Sequence, residues 1–313
     1  MRVIRGLQQL HQAAPACVAT IGNFDGVHRG HQAIISVLQH SASESGVPAT
    51  VILFEPQPAE FFQAAQAPIR LFPLREKLQV LHALGIEQVL CLRFDKHFAA
   101  LAPQDFIQQV LLQGLGVKAL YVGDDFRFGH QRAGDFALLQ VEGKAHGFRV
   151  QQSPTVMYET QRISSSWLRQ ALLGGDCELA QALLGRPYTI SGKVIHGDKR
   201  GREWGTPTAN IPIKQPRPAL EGIFVVEVEG LGERPLPAVA SLGTRPMVAG
   251  EYYLLEVHLL DFDADIYGKR LRVKFLHKLR GEASFASIDA LIAQIFQDID
   301  ETRKFFAQRY LGH

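Results

Sequence analysis

Short runs of β-branched residues alternate with helical patterns through the first half of the chain: 17–21 then 31–40, 49–54 then 74–84, 88–92 then 104–112. Alternation of this kind predicts a parallel, doubly wound sheet. Residues 119–122 and 148–151 supply two more strands. Gly22 and Gly123 fall just past predicted strand ends, where open α/β sheets bind their ligands. After Leu184-Gly185-Arg186-Pro187 the period changes. The runs 188–195, 223–228, 252–260 and 271–276 are strand-like and separated by turn residues, which predicts an antiparallel barrel. In 287–310, Ile288, Leu291, Ile292, Ile295 and Ile299 recur at helical spacing and predict one amphipathic helix closing that barrel. The expected fold class is therefore α/β plus β, with an N-terminal domain over 1–184 and a C-terminal domain over 185–313.

Composition narrows the functional classes. Of the 313 residues 46% are hydrophobic and 20% charged, enough for buried cores and little disorder. A formal charge of +2 with no Lys/Arg stripe speaks against a nucleic-acid partner. Cys17, Cys91 and Cys177 match no CxxC spacing, so neither a disulfide framework nor a structural zinc site is expected. With no secretory run at the N-terminus and no stretch of bilayer-crossing length, the expected location is the cytoplasm.

The first chemistry-bearing passage is 20–31. It runs from a strand through the turn Gly22-Asn23-Phe24-Asp25-Gly26 into a helix, with His28 and His31 flanking the helix start. Backbone N–H groups and the helix dipole at such a point favour an anion. No GxxxxGK[ST] is present, so the phosphate device is not a P-loop and histidine must supply donors. Downstream, Ser164 and Ser165 stand where hydroxyls cap a helix, and Arg169 follows one turn later. Phe54, Phe62, Phe106 and Phe128 are candidates to frame a planar ring by stacking, although aromatics serve the core at least as often.

In the second half Gly192, Gly197, Gly201 and Gly205 lead into Thr206-Pro207-Thr208-Ala209-Asn210. Backbone can approach phosphates closely there, while Thr208 and Asn210 offer oxygens to Mg²⁺. Strand alternation puts Glu256 and His258 on one face of 252–261 and Leu255, Val257 and Leu259 on the other. A phosphotransferase acting on an alcohol benefits from such a carboxylate.

These motifs carry a family resemblance over nearly the whole chain. GNFDGVHRGH resembles the HxGH signature of nucleotidylyltransferases, specifically the FMN adenylyltransferase half of bacterial bifunctional riboflavin kinase/FAD synthetases. ISSSWLR is similar to that family's ISSTxxR segment, and GTPTAN to its riboflavin kinase signature GxPTAN. The resemblance implies that His28 and His31 hold nucleotide phosphates, with Gly22 to Gly26, Ser164, Ser165 and Arg169 around ATP. It also implies that Val122 to Gly129, Asp125 among them, contacts nucleotide and flavin, and that Glu256 is catalytic. Gly243-Thr244-Arg245-Pro246 and Lys278-Leu279-Arg280 resemble segments lining the kinase site, with Arg280 a nucleotide or flavin contact.

Departures from the family pattern are Gln57 for histidine, Phe72 for threonine, Asp125 for asparagine, Ser166 for threonine, Thr206 for phenylalanine, and Ser241 and Met247 beside the GTRP string. The activity implied is phosphorylation of riboflavin to FMN by ATP, then adenylylation of FMN to FAD with release of pyrophosphate. Mg²⁺ is the expected cofactor, riboflavin, FMN and ATP the partners, and a monomer or weak homo-oligomer the assembly. A single retained activity and a flavin-binding regulatory protein stay open as alternatives at this stage.

Overall fold

A computed structural model describes residues 1–12, 16–123, 125–197, 201, 204–247 and 250–311. The chain forms two compact units, 1–68 with 72–164 and 69–71 with 165–313. In the first unit six strands make one parallel sheet: β1 (Arg2–Arg5), β2 (Cys17–Ile21), β3 (Ala49–Glu55), β4 (Gln88–Arg93), β5 (Val117–Val122) and β6 (Arg149–Gln152). Their order across the sheet is β1-β4-β3-β2-β5-β6. Every residue of β2 is buried, as both faces of such a sheet are covered by helices. From β2 the chain builds towards β4 on one side and towards β6 on the other, so the order reverses between β2 and β5. Crevices of this kind lie beyond the carboxyl ends of the strands, which here are Ile21 and Val122.

Helix Arg29–Ser45 buries Ile35, Leu38 and Ala42 at helical spacing and stops at Gly46, whose φ of 63° gives a left-handed cap. The predicted helix over 104–112 is irregular. A turn at Pro103–Phe106 runs into a wider, π-type segment, Ile107–Leu112, in which Gln113 N–H reaches back to the Gln108 carbonyl at 2.9 Å. Strand β1 and the hairpin β7 (Met157–Tyr158) to β8 (Gln161–Arg162) carry too few apolar residues to announce themselves in the sequence.

The second unit is a six-stranded antiparallel sheet of β9 (Tyr188–Lys193), β10 (Ala209–Pro212), β11 (Gly222–Glu229), β12 (Leu236–Met247), β13 (Gly250–Leu259) and β14 (Arg270–Arg280). Its order is β10-β13-β12-β11-β14-β9. Ile195 N–H donates to the Asn210 carbonyl at 2.9 Å and nearly closes the barrel. Helices Ser165–Gly174 and Cys177–Leu184 belong to this unit, so the compact units part at Ser164/Ser165 rather than at 184/185. The cause is packing: Cys177, Ala180, Leu183 and Leu184 are buried, and their helix lies against β9 and β14. Burial pushes the thiol of Cys177 up to about 12 and that of Cys17 up to about 11, so both stay protonated and unreactive near neutral pH.

The C-terminal helix Ile288–Leu311 seats Ile299 against Ile223, Val239 and Leu260, and Phe306 against Val225 and Leu276. Ion pairs hold it, including one from Arg309 to Glu227 at 3.9 Å. Arg280 donates to Asp298 Oδ1 at 3.0 Å and Oδ2 at 2.7 Å, and Arg303 donates to Asp261 at 2.7 and 2.8 Å. Arg303 thereby holds the Asp261 carboxyl below the ordinary carboxylate range. The Asp298 side chain is 5% exposed, so Asp298→Ala would leave a half-withdrawn guanidinium without its carboxylate. The expected loss is about 2–3 kcal/mol of stability. Both tryptophans, Trp167 and Trp204, lie in the second unit, so urea unfolding followed by tryptophan fluorescence checks this value directly.

Candidate functional site

Strand β2 leads into the first site. The peptide N–H of Gly22 still pairs with the Ile52 carbonyl at 3.1 Å, after which the chain turns and His28 becomes the N-cap of helix Arg29–Ser45. Its backbone is extended (φ −70°, ψ 171°), and its Nδ1 accepts the His31 backbone N–H at 3.3 Å. A nitrogen that accepts carries no proton, so this bond leaves the ring proton on Nε2. The two imidazoles stack with centroids 3.7 Å apart and an interplanar angle of 16°. Phe24 continues the stack at 4.7 Å from His31. A side chain at Gly30 would place its Cβ 3.1 Å from the His28 ring, which accounts for glycine between the histidines.

Asp25 turns inward. It is 1% exposed, and its Oδ1 accepts the backbone N–H of Phe72 at 3.1 Å. Phe72 is fully buried, so the departure from threonine there falls at a packing position. Asn23 presents its carbonyl to Lys77 Nζ at 2.6 Å, a contact that no sequence signal foretold. At the end of β5, a Cβ on Gly123 would meet Asp125 Oδ1 at 2.6 Å, so the Asp125 carboxylate lies over the strand end. Asp124 lies outside the described residues.

The phenylalanine candidates fall into one aromatic chain. Phe54 contacts Phe94 and Phe98, Phe62 contacts Phe61 and Phe94, Phe98 contacts Phe106, and Phe106 contacts Phe128, which stacks on Phe126. The chain grades from exposed to buried: Phe62 is 64% exposed and Phe106 only 2%. Phe106 is a core residue, its ring taken up by Phe98, Phe128 and the apolar interior, and it leaves no face for a ligand. Phe61, Phe94 and Phe98 join the chain without having stood in a recognisable motif, while Phe126 comes from the 122–129 segment. Gln57, 6% exposed, donates its backbone N–H to Glu60 Oε2 at 2.9 Å, while its Nε2 makes no hydrogen bond among the described residues.

Ser164 ends the first unit and Ser165 opens helix Ser165–Gly174 in the second, followed by Ser166. Within that second unit Arg169 Nε donates to the Ile69 carbonyl at 2.6 Å. Arg169 is thus tied to backbone.

In the barrel, register gathers the kinase motif residues. Glu256 on β13 stands opposite Asn210 on β10 and opposite Ser241 on β12. Directly paired residues share a face, so the departure at Ser241 adds a small hydroxyl beside the carboxylate. Glu256 forms an ion pair with Arg245. His258, two residues along the same face, donates from Nδ1 to the Pro207 carbonyl at 2.9 Å and ties β13 to the PTAN turn. Asn210 Nδ2 reaches the Thr208 carbonyl at 3.4 Å, and a Cβ on Gly197 would lie 2.5 Å from that amide. Thr206 is buried and closes the loop by donating its N–H to the Gly201 carbonyl at 2.7 Å, a place where a large ring is not needed. Gly205 follows a left-handed path with φ of 73°. The side chain of Met247 lies outside the described residues.

Two cavities meet at this turn. The larger, about 1120 Å³, is lined by Thr208, Asn210, Ser241, Arg245 and Glu256, and also by Ile223, Val239, Leu291 and Ile295. The smaller, about 640 Å³, is lined by Thr208, His196, Phe262, Asp263, Asp265 and Tyr267. Thr208 is common to both. Arg280 reaches the larger cavity, but its guanidinium is engaged by Asp298 and acts first as the anchor of the C-terminal helix. Among the described residues no group of three His, Cys, Asp or Glu could hold a metal ion, and no helix is long and apolar enough to cross a membrane.

Comparison with known proteins also divides the chain in two, with the second family model starting at 184 rather than at the compact-unit boundary. Residues 10–167 match the FAD synthetase family model and residues 184–306 the riboflavin kinase model. Relatives named bifunctional riboflavin kinase/FMN adenylyltransferase include one from Escherichia coli K12, 51% identical over 98% of both chains. Others are from Pseudomonas fluorescens, 47% identical over 98% of both, and Haemophilus influenzae, 44% identical over 98% of this chain and 99% of the relative. The crystal structure of a macrolide-efflux protein from Streptococcus pneumoniae superposes with a TM-score of 0.84 at 30% identity, over 97% of this chain and 99% of the other. With both family models matched in order and relatives covering 98% of its length, the chain belongs to the bifunctional riboflavin kinase/FMN adenylyltransferase family.

Proposed function

We propose that this chain makes FAD from riboflavin in two steps at separate sites, phosphorylation in the barrel and adenylyl transfer at the His28 turn. The observation that carries the reading is Thr208, which lies on both cavities beside the cross-strand pair of Asn210 and Glu256. A phosphoryl group can pass there from a nucleotide in the smaller cavity to an acceptor in the larger. The apolar wall of Ile223, Val239, Leu291 and Ile295 suits the isoalloxazine ring of riboflavin.

In the kinase step the riboflavin 5′-hydroxyl attacks the γ-phosphorus of ATP, the bond to the β-phosphate oxygen breaks, and Glu256 takes the hydroxyl proton. An ionised carboxylate has about four acceptor sites. Pairing with Arg245 therefore orients Glu256 while leaving capacity for the substrate hydroxyl. The Thr208 hydroxyl and Asn210 carbonyl suit Mg²⁺: the donors are oxygens, and the hydrogen bond from Asn210 Nδ2 to Thr208 commits the nitrogen elsewhere. These two oxygens would hold the ion, whose charge would offset that of the phosphates.

In the adenylyl-transfer step a phosphate oxygen of FMN attacks the α-phosphorus of ATP and pyrophosphate leaves. No strong base is required, since the attacking phosphate is already an anion. The demand is electrostatic stabilisation. His28 donates from Nε2 because its Nδ1 is spent on the helix cap, and His31 is held against it by stacking. Gly22, Asn23, Phe24 and Gly26 shape the turn that receives the phosphates, while Ser164, Ser165 and Arg169 serve ATP. Phe54, Phe62 and Phe128 frame the FMN ring, with Asp125 at its edge. In this reading the protein works in the cytoplasm, in keeping with three buried free cysteines.

A time course with riboflavin, ATP and Mg²⁺, separating flavins by chromatography, should show FMN rising before FAD; FMN alone would mean that the first unit is inactive. Changing His28 and His31 together to Ala should lower FAD formation by at least 10²-fold, with FMN still accumulating. Glu256→Gln should reduce riboflavin phosphorylation by about 10²- to 10⁴-fold and leave FAD synthesis from added FMN intact. Loss of both reactions in either folded variant would sink the separate-site assignment.

A further inference from the structure

The His28 turn follows a costly path. Phe24 and Val27 have φ of 46° and 45°, the left-handed region that side-chain-bearing residues avoid, and Val27 is β-branched as well. Such a conformation persists only where its surroundings over-determine it. The supports come from several sides. Gln32 Nε2 donates to the Val27 carbonyl at 2.9 Å, Phe72 N–H to Asp25 at 3.1 Å, and Lys77 Nζ to the Asn23 carbonyl at 2.6 Å.

Lys77 differs from the other two in bringing a basic side chain, 1% exposed, from helix Leu74–Ala83. Keeping an ammonium away from water is expensive unless polar partners compensate it. The short bond to Asn23 is one such partner. It grips the residue immediately before Phe24, whose ring packs on His31 and, through it, on His28.

We propose that Lys77 is a positioning residue for adenylyl transfer: by holding the Asn23 carbonyl it sets Phe24 in its left-handed conformation and so fixes the His31–His28 stack. It touches neither nucleotide nor flavin. The inference rests on the assignment of the His28 turn as the adenylyl-transfer site, and the histidine variants above test that assignment by themselves.

The test uses the full chain with two substitutions. Lys77→Met keeps the aliphatic bulk and removes both charge and donor, whereas Lys77→Gln keeps an N–H donor without the charge. Small displacements of reacting groups cost on the order of 10²-fold in rate. Lys77→Met should therefore lower kcat for FAD formation from FMN by about that factor, with KM for FMN within about twofold. Lys77→Gln should recover a large part of the loss. The imidazole proton resonances of His28 and His31 should move in the Met variant, while those of His196, His258 and His277 and the rate of riboflavin phosphorylation stay as they were. A normal kcat in Lys77→Met would overturn the proposal. So would equal losses in both variants, or a loss with the two imidazole signals unmoved. Should Lys77→Met fail to fold, Lys77→Gln decides: full activity with displaced His28 and His31 signals, or reduced activity with undisplaced ones, would overturn it. Loss of FAD formation in the histidine variants alongside either result would show that only the role of Lys77 is wrong.

Discussion

The start of a helix leaves backbone N–H groups to satisfy, and in this protein one of them is satisfied by the side chain of His28. His28 Nδ1 takes the His31 backbone N–H, and from that bond follow the tautomer of His28, the angle of its ring and its stacking on His31. Serine or aspartate would cap the helix at least as well. Neither would leave a second ring nitrogen with a proton to offer. The same bond explains why glycine intervenes at 30, since the ring lies where a side chain there would stand. Helix initiation and the presentation of the Nε2 proton thus use one residue, and the strained turn ahead of it is held by contacts from outside the motif.

The barrel solves the related problem by register. Asn210, Glu256 and Ser241 come from three strands and stand abreast because antiparallel pairing brings them into line. His258 adds a cross-link to Pro207, and the near-closure at Ile195 and Asn210 keeps β10 in place. The C-terminal helix then forms a wall of the larger cavity, with Leu291 and Ile295 facing the same space as Ile223 and Val239. Its seating depends on apolar contacts through Ile299 and Phe306 and on the Asp298 carboxylate gripping Arg280. Arginine at 280 reads in the sequence as a ligand contact. The fold keeps it on the lining of the larger cavity and also gives it a carboxylate from a residue eighteen positions away.

Patterns of apolar residues were enough to find the change from parallel α/β to antiparallel β, the central strands and the closing helix, because each depends on neighbours in the chain. Strands buried on both faces read as continuous apolar runs, and helix faces read at a spacing of three to four. Edge strand β1 escaped the pattern, since it is held by pairing with β4, distant in sequence, and the π-type form of Ile107–Leu112 has no signal in the residue pattern. The helices between Ser165 and Leu184 were read with the first half, and only their burial against β9 and β14 assigns them to the second unit.

Sequence alone thus determined the fold class, the order of the two halves and the chemistry-bearing motifs, because the histidine turn, the PTAN turn and the Glu256 strand are each contiguous. Tertiary structure alone decided which other side chains serve them. Lys77 reaches Asn23, Asp25 faces inward to Phe72, Arg245 pairs with Glu256, and Phe106 retires into the core. Those outcomes turn on contacts between residues separated by many positions, and a local pattern of residue types carries no information about which distant group will arrive.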